Sequence, residues 1–298
     1  MGNFESAWEK FCAVTRDAGI KNLLLYQDGE VCGELHYDQN CLRNAYSATK
    51  SFTATVVGIA QEEGLLSVEE KVMECFPKEI PQNPPEYLEH LKIKHLLSMT
   101  VGQDASYLMG PMRPKMQTQD WVSFVLNQPF LYEPGTVFQY TNVGPYLCGI
   151  LVARRAGQSL ASYLYERLFE PLGFFYPSWE VDPQGNAFGA GGLMVTVEHL
   201  LRFGQVYLQN GKWKGRQLIP ESWVRAVQTP SLLNGDKAGQ YGYGFWLGPD
   251  KSYAATGKYG QRAVIMPSKH AVLAITAESA DPKEKIMRPF WDILYPEI

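Results

Sequence analysis

The sequence predicts an α+β fold, with one antiparallel sheet built from both ends of the chain, helices covering it, and a helical unit inserted between. Three observations carry this. Strand-like runs with turn residues between them sit near both termini. Apolar residues at helical spacing fill the middle. Glycine and proline punctuate the joins. The expected division is a discontinuous sheet-plus-helices domain, residues 1–67 and 189–298, with a helical domain at 68–188.

The elements follow in order. Residues 21–37 read KNLLLYQDGEVCGELHY, two apolar runs around Asp28-Gly29, which is a hairpin signal. A helix is predicted from Ser47 to about Glu63, stopped by Gly64. A proline-rich stretch, Pro77 to Pro85, leads to a short helix around Leu91–Ser98. Helices are also predicted at 119–128, 144–156 and 159–169, with Gly157 and Pro171-Leu172-Gly173 as breaks. GAGGLM at 189–194 is a glycine turn before the helix VEHLLRFGQVYLQNG. From Tyr241 onward, YGYGFWLG, SYAATGK, RAVIMPS and HAVLAITAES read as short strands, and PKEKIMRPFWDILY as a closing helix.

Composition bounds the function. The chain has 298 residues, 45% hydrophobic and 19% charged, ordinary values for a folded chain with a large core. The net charge is −4 and no basic stripe is present, so no nucleic-acid partner is expected. The start MGNFESAWEKFCAV has early glutamates and no apolar run, and no stretch of 18 apolar residues occurs. A cytoplasmic protein without membrane contact is the expectation. Cys12, Cys32, Cys41, Cys75 and Cys148 are odd in number and scattered, so they read as reduced thiols. His90 and His95 lie five apart, the wrong spacing for two ligands on one helix face. No metal or cofactor is expected.

Three short motifs carry chemistry. The first is Ser47-Ala48-Thr49-Lys50. It opens an apolar helix, with Lys50 one turn beyond Ser47 on the same face. A helix start offers free N–H groups and partial positive charge to an oxyanion. A serine hydroxyl needs a base, and a buried lysine can be one if desolvation leaves it neutral. Taken alone, the same residues describe a helix cap and a solvated lysine equally well. The second is Tyr140-Thr141-Asn142, after the turn Glu133-Pro134-Gly135. A tyrosine there could relay a proton and an amide could hold the lysine. By itself, a packing tyrosine and a capping asparagine is the commoner reading. The third is Ala255-Thr256-Gly257-Lys258-Tyr259-Gly260-Gln261. Its glycines would let a substrate approach an edge strand, and Lys258 could add a second oxyanion N–H. Alone, it reads as a plain turn. Tyr241, Tyr243, Phe245 and Trp246 could line a pocket, although an aromatic strand is more often core.

In this order, together with IKHLLSMTVG, FEPLGF and the 189–224 stretch, these motifs resemble the penicillin-recognising serine hydrolases. The likeness is to the branch with class C β-lactamases, DD-peptidases, family VIII carboxylesterases and 6-aminohexanoate-dimer hydrolases. The resemblance implies a β-lactamase/DD-peptidase-like fold with its active site between sheet and helical domain. It implies Ser47 as acylated nucleophile, Lys50 as proton acceptor, Tyr140 as relay and Asn142 as the orienting amide. The backbone N–H groups of Ser47 and Lys258 would form the oxyanion hole, beside Ala255, Thr256 and Gly257. The implied substrate is a small ester or amide, cleaved through an acyl-enzyme. Alternatives are a true β-lactamase or DD-peptidase, and a non-catalytic module binding acyl or peptidoglycan-like ligands. Two positions depart from the family. Ala255 stands where many relatives have Lys or His, which removes a partner for a substrate carboxylate. Met99 stands where a histidine is frequent.

Overall fold

The computed structural model describes residues 2–232 and 240–298. Its sheet has six antiparallel strands: β1 (Ile20–Gln27), β2 (Glu30–His36), β3 (Trp246–Leu247), β4 (Tyr253–Thr256), β5 (Arg262–Met266) and β6 (Ala271–Ala277). Their order is β2-β1-β6-β5-β4-β3, so the first strand lies beside the last. Leu23 opposes Ile275 and Leu25 opposes Leu273. The β1–β2 hairpin turns through Asp28 and Gly29, both at positive φ, as the Asp-Gly pair predicts.

Alternation gives the sheet two buried faces. Leu23, Leu25, Val264, Leu273 and Ile275 point to one side, where Phe11 and Phe290 meet them. Helix α1 (Gly2–Thr15) and the C-terminal helical segment at 283–297 cover this outer face. Leu24, Ala263, Ile265, Val272 and Ala274 point to the other side. There α2 (Thr49–Glu62) and, further along the chain, α4 (Val197–Leu208) join one core. Phe52 of α2 stacks on Phe203 of α4 at 3.9 Å, both fully buried. Each such burial stabilises by roughly 1.5–3 kcal/mol.

Between the two halves of the sheet lie Ile93–Leu97, Trp121–Leu126, α3 (Val143–Ala156) and Leu160–Leu164, close to the predicted helices. Gly157 ends α3 in the left-handed conformation. Ser159 and Thr196 cap the helices that follow them. α3 packs on α2, and their side chains continue the inner-face core without a break.

Two expectations are corrected. The helix does not start at Ser47: a tight turn, Tyr46–Ala48, precedes α2, and no side chain caps either. The third motif is not on an edge strand, because β3 flanks β4. That pairing covers only Tyr253 and Ala254, so 255–258 is open on that side.

Candidate active site

The nucleophile candidate sits on a constrained turn. Tyr46 adopts φ +48, a left-handed conformation that costs a non-glycine residue of order 1–3 kcal/mol. Three contacts hold it. The Tyr46 N–H donates to Asn44 Oδ1 at 2.7 Å, the Ala45 N–H donates to the Leu193 carbonyl at 2.8 Å, and the Tyr46 ring meets Tyr259 edge-on at 5.2 Å. Ser47 follows, half-buried, its hydroxyl toward the first turn of α2.

Lys50 is 1% exposed, and its Nζ reaches three oxygens. Asn142 Oδ1 and the Ala190 carbonyl each lie at 2.7 Å, and Ser47 Oγ at 3.2 Å. None is a carboxylate. Burial is the main cause that brings its amine down to about 7, and the Arg113 guanidinium adds to it. The solvated-lysine reading is thereby excluded. Asn142 begins α3 but does not cap it. Its Nδ2 donates to the Leu108 carbonyl at 2.9 Å, which fixes Oδ1 toward the amine.

Tyr140 lies on the same side, with Lys50 Nζ 5.1 Å from its ring centre. Burial pushes its phenol up to about 12, and the Ser47 side chain opposes that shift. Its segment is pinned by the 99–102 stretch. The Gly135 N–H donates to the Thr100 carbonyl at 2.9 Å, and the Gln139 N–H to the Met99 carbonyl at 2.8 Å. Met99 is fully buried and serves through its backbone, at φ +60. Trp246 stacks on Tyr140 at 5.7 Å and Tyr241 meets it edge-on at 6.0 Å. The aromatic strand thus divides. Tyr241 and Phe245 are core, and Trp246 supports the site.

The third motif packs against the Ser47 turn. Gly257 is needed because a Cβ there would collide with the Ala45 carbonyl oxygen. The glycine serves a close approach of two backbones, a use that differs from the expected room for substrate. Ala255 is fully buried in the inner-face core with Ala45, Ala48 and Phe52. Thr256 points to the opposite face, beside Ala254. The Lys258 side chain is exposed and lies over the Tyr259 ring at 4.5 Å.

Two contributors were missed by sequence reading, and a third was named without its role. The Ala190 carbonyl acts through its backbone, inside a stretch recognised only as a glycine turn. Arg113 lies in an aperiodic segment, where it ion-pairs with Glu180 at 3.0 Å and covers the Phe188 ring at 4.1 Å. Trp246 carried a signal as part of the aromatic strand, although not its role. Among the described residues, no group of three or more His, Cys, Asp or Glu could hold a metal, and no helix is long and apolar enough to cross a membrane.

Known proteins share this arrangement of elements. The 6-aminohexanoate-dimer hydrolase of Paenarthrobacter ureafaciens is 23% identical over 269 residues, 79% of this chain and 66% of that protein. The match therefore spans just under two thirds of the relative's own length. The structure of a D-stereospecific amidohydrolase from a Streptomyces species superposes with a TM-score of 0.73 at 17% identity, over 96% of this chain and 98% of the other. EstCE1, described as a hydrolase with promiscuous acyltransferase activity, superposes at 0.77 with 16% identity, over 99% of both chains. At these identities the two structures establish the β-lactamase/DD-peptidase-like fold. Residues 21–294 match the family described as Beta-lactamase, and this chain belongs to it.

Proposed function

We propose that this protein is a serine hydrolase that cleaves a small ester or amide through an acyl-enzyme on Ser47. The site would lie in the seam between the sheet-bearing unit, 1–67 and 189–298, and the helical unit, 68–188. One observation carries the reading, the three contacts of the Lys50 amine. Asn142 Oδ1 and the Ala190 carbonyl can only accept, and they are the two shorter contacts. A neutral amine has two protons to give them. Its lone pair is then left for the third and longer contact, the Ser47 hydroxyl. An amine that titrates at about 7 reaches this form at neutral pH.

The steps balance on these groups. Ser47 gives its proton to Lys50 Nζ as Oγ attacks the carbonyl carbon. The oxyanion is held by the N–H groups of Ser47 and Lys258, an arrangement supported by the packing of their two turns. With a phenol at about 12, Tyr140 stays protonated, which suits a donor. It protonates the leaving alcohol or amine and recovers a proton from the Lys50 ammonium. Water then takes the leaving group's place, gives a proton back through the same pair, and releases the acid with Ser47 restored.

Buried Ala255 offers no cation or hydroxyl to a substrate carboxylate. Short esters should therefore outrun β-lactams. The test is kcat/KM for a short p-nitrophenyl ester against a chromogenic cephalosporin, with mass-spectrometric mapping of a fluorophosphonate adduct. Adduct on Ser47 and faster ester turnover support the reading. A cephalosporin value near 10⁶ M⁻¹s⁻¹, typical of an efficient enzyme, would make this a β-lactamase. Labelling without turnover of any ester or amide would favour the binding module.

A further inference from the structure

The outer face of the sheet holds a cavity, behind the strand that flanks the candidate active site. It measures about 890 Å³ and lies between β3–β5 and the C-terminal helical segment. Ligand sites commonly fall in this size range. Its walls are largely apolar, with Trp246, Leu247 and Val264 from the sheet and Met287 and Trp291 from the helix.

Three polar atoms without partners line this space. Arg262 Nε, Thr256 Oγ1 and Ser252 Oγ are each buried, and each lacks a hydrogen-bond partner among the described residues. A buried polar group left without a partner is destabilising, so each of these atoms favours a ligand that can meet it. Thr256 and Arg262 are register partners on β4 and β5, so they stand side by side on the outer face. Desolvation with no compensating anion lowers the Arg262 guanidinium to about 10. It stays protonated at neutral pH.

We propose that this cavity binds a small organic carboxylate, with Arg262 gripping the carboxylate and the tryptophan-lined walls taking its apolar body. A carboxylate fits the planar fork of a guanidinium and accepts from the Thr256 and Ser252 hydroxyls. A phosphate fits less well. The other arginine at the rim, Arg288, is tied to Glu284 at 2.7 Å. Lys283, Glu284 and Asp292 also line the cavity, and the two carboxylates oppose a dianion more than they do a monoanion. The cavity and the candidate catalytic groups lie on opposite faces of the sheet, with Trp246, which stacks on Tyr140, in contact with both. Lys50 and Ala255 face the inner core, and Arg262 lies across the strand from them.

The probe is 4-phenylbutyrate, followed by tryptophan fluorescence, since Trp246 and Trp291 line the space. Protein blocked at the active site with a fluorophosphonate is titrated beside unblocked protein. Saturable binding in both is expected. Arg262→Met should weaken it on the order of 10- to 100-fold, the worth of a charge-assisted hydrogen bond. Arg262→Lys should fall between, because it keeps the charge and loses the fork. 4-Phenylbutan-1-ol, with the same body and no charge, should bind as weakly as 4-phenylbutyrate binds the Met variant. Without ligand, Arg262→Met should melt higher than the parent, because an unpaired desolvated charge is gone. Saturating 4-phenylbutyrate should raise Tm in the parent and not in that variant. Equal affinity in Arg262→Met, equal affinity for the alcohol, or loss of binding on blocking the active site would each overturn the proposal. Absence of saturable binding would mean the cavity holds water alone, and would overturn it too.

Discussion

Two cations lie on opposite faces of the same sheet, and their surroundings differ. Lys50, on the inner side, has three oxygens within hydrogen-bonding distance and titrates at about 7. Arg262, on the outer side, has an unpartnered Nε and holds its proton to about 10. Burial drives both shifts. A lysine can relieve the cost by losing a proton, and what remains is a base. An arginine cannot do so near neutral pH, and what remains is a site that lacks an anion. On the proposed readings, the same desolvation serves proton transfer on one face and ligand capture on the other, with side-chain chemistry deciding which.

The strongest way to break this comparison is to remove what Lys50 acts upon. Ser47→Ala should cost on the order of 10³-fold or more in kcat/KM for a p-nitrophenyl ester, with an unchanged melting curve. Residual turnover near the parent's would remove Ser47 from the mechanism.

Next is Lys50→Arg, which keeps a cation in place and abolishes the neutral form. Loss of about 10²–10⁴-fold is expected, the range for a missing general base. Activity close to the parent's would mean that Lys50 works only by its charge. Lys50→Met and Tyr140→Phe should each cost a similar factor, and the double variant little more, because the two move one proton. Multiplying losses would assign them separate tasks.

A smaller effect sharpens the Lys50 half. In the proposed mechanism its deprotonated form is the active one, so kcat/KM should climb about tenfold per pH unit below 7 and level off above it. With the Tyr140 phenol at about 12, no descending limb from that group should appear below pH 10. A profile flat from pH 5 to 8 would contradict a titrating base there.

The smallest effect expected is at Arg113. Its charge helps to hold the Lys50 amine down, so Arg113→Gln should raise that pKa and move the rising limb to higher pH. A shift of less than about one unit is expected, because burial is the larger cause. A limb that moves to lower pH would reverse the assigned sign.

Much of this was legible in the sequence for identifiable reasons. Ser47 and Lys50 lie three residues apart, and Tyr140 and Asn142 two apart, so local spacing exposed them. The hairpin at Asp28-Gly29 and the fully buried β6 were plain from turn chemistry and an unbroken apolar run. The helices and strands that were expected lie within a few residues of their predicted places, but helix α1 was not expected, and neither was the Tyr46–Ala48 turn, because a left-handed tyrosine has no sequence signature. The Ala190 carbonyl was invisible because every residue has one. Arg113 and Arg262 were invisible because a charged residue in a loop or strand reads as solvated, and only packing shows otherwise.

The strand order has a consequence for synthesis. Gln27 at the end of β1 donates to the Lys269 carbonyl, 242 residues further along the chain. At roughly 5–20 residues per second, a ribosome leaves β1 without its central neighbour for about 12–50 seconds. During that interval the β1–β2 hairpin has an unpaired edge, a template for association with another nascent chain. Closing the sheet requires pairing across nearly the whole polypeptide, which makes folding slow for its size. The final strand therefore acts as a latch. Yield on expression should depend on chaperones that shelter the hairpin until β6 emerges.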